Sequence, residues 1–251
     1  MKVLGFDLET GAAFDVPKEE NWITEIGCVL WDTDNNMPLE MYNTLVQPEG
    51  KEISAEAVQY TGITTEMCEK HGEKECLALD HFRHMATKAD YIVAHNGREF
   101  DIPILAARFK AWELETPGKP LIDTMTDLPL PDNCKSRNLT YLNGFHLFAN
   151  PFPHRAVTDV LSMLTVMSKY PWEEVKAIAD SPVVQYIAQF SYPKERKGGN
   201  FKEAMAEFNK IKDAVKGLGF RWHPDTKTWV LKTKEIIAKD MEFPCEVTKV
   251  Q

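Results

Sequence analysis

The sequence predicts an α/β fold: a mixed β-sheet flanked by helices, with a small α+β module after it. Three observations carry that expectation. Three strand-like apolar runs fall within the first 48 residues, two of them joined by a polar turn. Strand and helix patterns then alternate to about residue 170. Beyond that point prolines and then lysines dominate. With 251 residues and 43% hydrophobic content, the chain can fill one large core, or a medium and a small one.

The elements follow in order. Residues 2–8 read as a strand, with Leu4, Phe6 and Leu8 on one face. Residues 22–32 and 38–48 read as a hairpin that turns at Asp32–Asn36. Ser54 is a good N-cap for a short helix closed by Gly62. Residues 64–88 read as helical, with Leu77, Leu79, Phe82 and Met85 as their apolar positions. YIVAHN (91–96) begins as a nearly continuous apolar run, as a buried strand does. A helix follows from about Pro103, a residue tolerated in a first turn. PLIDTM (120–125) is a further strand, 138–147 a helix or two turns, and 156–169 a helix with the stripe Ala156, Val160, Met163, Leu164 and Met167. This organisation gives one domain over 1–170, a connector over 171–198 that ends in the Gly198-Gly199 pair, a hinge or turn, and a small module over 199–251. In the module, 201–219 is an amphipathic helix, 220–231 a hairpin turning at Pro224-Asp225, and a short helix starts near Thr233.

The net charge is −9, unlike that of a typical nucleic-acid binder. It is unevenly spread: residues 194–251 hold 13 Lys and Arg against 9 Asp and Glu, a net of +4, and the rest carries −13. An acidic body still engages phosphates when its carboxylates hold divalent cations. No run approaches the ~18 apolar residues of a membrane helix, and Asp7 cuts the apolar start too early for a signal peptide. Five scattered cysteines without a CxxC pair suit reduced thiols. The expectation is a soluble, cytoplasmic protein with no membrane partner. Cys68, His71, Cys76 and His81 approach zinc-knuckle spacing, but their order is wrong for one and the segment reads as helix.

The acidic residues are more telling. In FDLETG (6–11), Asp7 and Glu9 share the strand face opposite Leu4, Phe6 and Leu8. Two adjacent carboxylates repel, and burial makes the repulsion worse, so the pair marks either an exposed face or a cation site. Asp101 lies between a strand and a helix, where it serves as an N-cap or a ligand. Asp159 falls about 40° from Met163 on the helix wheel, at the edge of the apolar stripe. His154 stands five residues before it, at the helix entrance.

FDLETG, AHNGREFD (94–101) and HRAVTD (154–159), in this order, resemble the three motifs of the DnaQ-like, or DEDD, 3′–5′ exonucleases. The histidine five positions before the last aspartate resembles the DEDDh branch; the DEDDy branch has a tyrosine where this chain has Arg155. The resemblance covers residues 2 to about 168 and implies an RNase H-like fold. It implies that Asp7, Glu9, Asp101 and Asp159 hold two Mg2+ or Mn2+ ions about 4 Å apart. His154 then corresponds to the general base, and Thr10, Gly11 and Asn96 to positions bordering the terminal nucleotide. The implied substrate is a nucleic acid with an unpaired 3′ end, DNA or RNA, released as nucleoside 5′-monophosphates. YTGIT (60–64) resembles the family's HGIT stretch, with Thr61 in place of the histidine. Asp123 falls on a strand the family uses structurally and is left out of the site.

The appended module resembles stand-alone enzymes of the exonuclease X kind more than polymerase-bound proofreading subunits. It is either a substrate grip, through Arg221, Trp222 or Lys227, or a mini-core built on Trp222 and Trp229. A proofreading subunit and a catalytically silent nucleic-acid-binding protein are the competing functions. A homodimer or a polymerase complex both stay open as assemblies.

Overall fold

The structure, a computed structural model, describes residues 1–13, 15–131, 133–193 and 199–250. The chain forms two units, Met1–Ala179 and Asp180–Gln251.

The first unit is built on a five-stranded sheet. Strand β1 (Lys2–Thr10) lies at its centre, antiparallel to β2 (Ile23–Asp32), which pairs in turn with β3 (Met37–Leu45). On the other side, β4 (Tyr91–Ala94) and β5 (Leu121–Asp123) run parallel to β1, giving the order β3-β2-β1-β4-β5. The even residues of β1 behave as the period-two pattern requires: Leu4, Phe6 and Leu8 join a core with Phe82 of α3 (Glu75–Thr87) and with Ile104 and Phe109 of α4 (Asp101–Ala111). The odd face carries Val3, which packs with Val160, Met163 and Leu164 of α6 (Ala156–Met167). All five residues of the expected α6 stripe are buried.

Two glycines let α6 descend onto that face. A Cβ on Gly5 would lie 2.8 Å from both Leu164 Cδ1 and Val160 Cγ1. A Cβ on Gly27, the β2 residue opposite Asp7, would lie 2.4 Å from the backbone nitrogen of Val157. Side chains can yield but helix backbone cannot, so Gly27→Ala is expected to push the α6 N-terminus away at a cost of about 1–3 kcal/mol. Urea unfolding beside wild type measures this; an unchanged midpoint would show that α6 adjusts freely.

The expected helix over 64–88 is two helices, α2 (Thr65–His71) and α3, which follow α1 (Ala55–Thr61). Glu73 breaks the run by adding its backbone to the end of β3: its N–H donates to Leu45 and its carbonyl accepts from Gln47. Leu77 is consequently 54% exposed rather than buried. α5 (Leu139–Phe145) fills the 138–147 segment.

The stretch 171–198, expected as a connector, instead contains α7 (Trp172–Asp180) and β6 (Val183–Gln189); Lys194–Gly198 lie outside the described residues. β6 is an inner strand of the second unit. That antiparallel sheet has the order β7-β8-β6-β9, with β7 (Arg221–His223), β8 (Thr228–Lys234) and β9 (Glu246–Val250). α8 (Gly199–Gly217) contributes Val215 and Ile211 to a core with Ala188, Phe220, Leu231 and Trp229. Gly199, expected in a hinge or turn, is the first residue of α8, and Gly198 lies outside the described residues. α9 (Glu235–Ala238) follows β8. Trp229 belongs to the mini-core, whereas Trp222, its ring 5.6 Å from that of Trp229, stays 47% exposed beside exposed Arg221 and Lys227. Among the described residues no helix is long and apolar enough to cross a membrane.

Candidate active site

A cleft of about 430 Å³ opens where the site residues meet, lined by Asp7, Glu9, Thr10, Asn96, Asp101, His154 and Asp159 among others. Asp7 and Glu9 reach it from the odd face of β1. Asp159 reaches it from the first turn of α6, held against that face by Gly27. These three residues can each offer one oxygen, all within 4.8 Å of one another. Asp101, the first residue of α4 rather than its N-cap, stands beside the trio and accepts a hydrogen bond from the Leu8 N–H at 3.1 Å.

Each carboxylate is held above its ordinary range. Burial, and then Asp101, Glu9, Asp159 and Glu25, push Asp7 well up. Burial and the charges of Asp159 and Glu25 push Glu9 to about 8, against a smaller pull from Arg155. Burial drives Asp101 to about 7, against the Leu8 N–H bond. Asp159 also rises through burial, eased by bonds from the His154 N–H and Asn150 Nδ2. The nearby Arg155 charge offsets only a small part of the repulsion on Glu9. Hard oxygen donors that converge under mutual repulsion fit a hard divalent cation.

Residues the sequence reading passed over complete the site. Glu25 faces Glu9 across the β1–β2 pair and is fully buried. Its carboxylate pairs with the Arg155 guanidinium at 2.6 Å and accepts from the Ala156 N–H and Asn43 Nδ2, each at 3.0 Å. This ties the α6 N-terminus, and the loop carrying His154, to the sheet. The available signal was a charge inside the otherwise apolar run ITEIGCVLW. Asp123, read from the sequence as structural, is buried outside the cleft lining and accepts from the N–H groups of Asn96, Arg98 and Met125, shaping the turn in which Asn96 adopts φ 63°. His95 also lines the cleft, its Nδ1 2.9 Å from Thr124 Oγ1.

Gly11 is placed differently from the expectation. It is buried against Trp22, where a Cβ would lie 2.3 Å from the indole nitrogen, and it is not among the residues lining the cleft. Its role in this fold is close packing. Thr61 and Tyr60 of α1 do line the cleft.

A family model described as exonuclease, of the RNase T type, matches residues 4–167. Among curated proteins none matches. Among solved structures, exonuclease I superposes with a TM-score of 0.60 at 14% identity, over 93% of this chain and 62% of that one. The zinc-bound form of the E. coli exonuclease I complex with single-stranded DNA gives 0.61 at 13% identity, over 99% and 62%. The nuclease domain of 3'hExo, a DEDDh family member bound to rAMP, gives 0.57 at 17% identity, over 67% and 90%. The chain thus spans less than two thirds of exonuclease I. At these identities the likeness is one of fold, a mixed sheet flanked by helices of the RNase H-like kind.

Proposed function

The chain belongs to the exonuclease family of the RNase T type, and we propose that it hydrolyses single-stranded DNA or RNA from the 3′ end to nucleoside 5′-monophosphates. In this reading Asp7, Glu9, Asp101 and Asp159 hold two Mg2+ or Mn2+ ions, and His154 is the general base. The observation that carries it is the convergence of three carboxylate oxygens within 4.8 Å in the same cleft as a histidine. The chemistry such ions supply is Lewis acidity at the phosphodiester.

The protein's own groups do the rest. The cleft volume lies in the range of pockets that take one small molecule, which suits one unpaired nucleotide. Thr10 and Asn96 border that nucleotide. The His154 imidazole takes a proton from the attacking water. Water adds to phosphorus, the bond to the penultimate 3′ oxygen breaks, and that oxygen leaves with a proton. Asp159 accepts the backbone N–H of His154 at 2.9 Å, so ligand and base are placed by one interaction. The five cysteines, all free thiols in the fold, suit a reducing cytoplasmic setting.

The test is mononucleotide release from a 3′-labelled single-stranded DNA oligonucleotide and its RNA counterpart, with Mg2+ or Mn2+. Wild type is expected to release mononucleotides only with metal. His154→Ala is expected to lower kcat by ~10²- to 10⁴-fold, with little change in melting temperature. Absence of release from both polymers by folded wild-type protein would overturn the reading.

A further inference from the structure

His154 is held in two places. Its backbone is in the left-handed region, φ 62°, with the N–H bound to Asp159. Its ring meets the ring of Tyr60, the centroids 3.9 Å apart and the planes at 36°. Tyr60 comes from α1, far away in the chain, and both residues line the cleft with Glu9 and Asp159. Tyr60 is not there to fill a core. It is 53% exposed, while α1 is anchored by Ala57, which packs with Ile53, Ile63 and Cys68.

We infer that Tyr60 is a positioning residue for His154, a shelf that fixes the plane of the imidazole over the carboxylates. The inference rests on the reading of His154 as the general base. The Asp159 bond fixes the backbone but leaves both side-chain torsions of the histidine free. A flat ring at 3.9 Å restricts them to orientations that keep the faces together. Contacts of this kind bias a rotamer population by about tenfold at most, and a misaligned base loses rate in proportion to the population it leaves.

The experiment combines kinetics with the histidine ring resonances, using Tyr60→Leu and Tyr60→Phe in wild-type and His154→Ala backgrounds. His154→Ala also assigns the His154 signal. Tyr60→Leu is expected to abolish the ring-current displacement of the His154 Cε1–H signal. It should lower kcat up to about tenfold, with KM nearly unchanged. Tyr60→Phe keeps the aromatic face and is expected to retain both the displacement and most of the rate. In the His154→Ala background, Tyr60→Leu is expected to cost nothing more, because its effect passes through the missing ring. An unchanged His154 signal in Tyr60→Leu would overturn the inference. So would equal losses in both backgrounds, which would mean that Tyr60 acts on the substrate directly. A wild type that releases no nucleotide overturns the exonuclease reading and, with it, a catalytic use for the shelf. The resonance still decides independently whether Tyr60 orients the His154 ring.

Discussion

Asp7→Asn is expected to abolish metal-dependent nucleotide release while making the metal-free protein more stable. Asp7 sits between Glu9, Asp101 and Asp159, and all of them raise its affinity for a proton. Asparagine keeps the shape and removes one charge from a repelling group. The loss in rate should be at least ~10²- to 10³-fold, the size of removing one electrostatic stabiliser of a transition state. The pH dependence follows with a definite sign. Glu9 titrates near 8 and Asp101 near 7 in the fold, against roughly 4.3 and 3.9 when unfolded. The unfolded chain therefore gives up these protons first. Stability is fullest below the unfolded values and is lost as pH rises through the folded ones. The melting temperature of the metal-free wild type should fall between pH 5 and 8, and fall less in Asp7→Asn. Mg2+ should flatten the wild-type slope by binding the ionised cluster. A wild-type melting temperature that rises over this window would show that the carboxylates do not repel as described.

Glu25→Ala is expected to be the most destabilising single change near the site, at about 3 kcal/mol or more. It removes a fully buried carboxylate with three sets of partners: the Arg155 guanidinium, the Ala156 N–H and the Asn43 amide. A buried N–H without a partner costs about 1–3 kcal/mol. The Arg155 side chain, 37% exposed, can recover some hydration, which keeps the total toward the lower end of the range for broken buried pairs. Glu25→Gln retains an acceptor for the Ala156 N–H and should lose markedly less. Because the α6 N-terminus carries His154 and Asp159, the alanine variant should lose activity at temperatures where it is still folded. Denaturant unfolding of the three proteins checks the order, and equal midpoints for alanine and wild type would refute it.

The parts of this fold that depend on local periodicity were legible in the sequence. Alternation placed Asp7 and Glu9 opposite the Leu4–Phe6–Leu8 face, and the helical stripe placed Asp159 at its edge. What the sequence concealed depends on partners distant in the chain. The break between α2 and α3 exists because Glu73 adds to the end of β3; its one local sign is Gly72, the C-cap that follows the basic last turn of α2. β6 looked irregular between its prolines because its partners, β8 and β9, come tens of residues later. Gly11 read as a nucleotide neighbour from its place after Thr10, but Trp22 occupies the space over it. Glu25 read as one polar residue in an apolar strand, and only the register opposite Glu9 reveals its position.

The central place of β1 has a consequence for how the protein fails when heated. Asp7 and Glu9 lie on the central strand, paired with Gly27 and Glu25 in the long β1–β2 ladder, so they leave their register only when that ladder opens. His154 lies on a loop whose neighbours Leu147 and Phe152 are largely exposed, and such segments open at far lower free energy. Warming is therefore expected to loosen the His154 loop, despite its bonds to Asp159 and Glu25, before it opens the β1–β2 ladder. In the proposed mechanism, activity is expected to fade on warming while the carboxylates still stand in register, and to return on cooling without refolding of the domain.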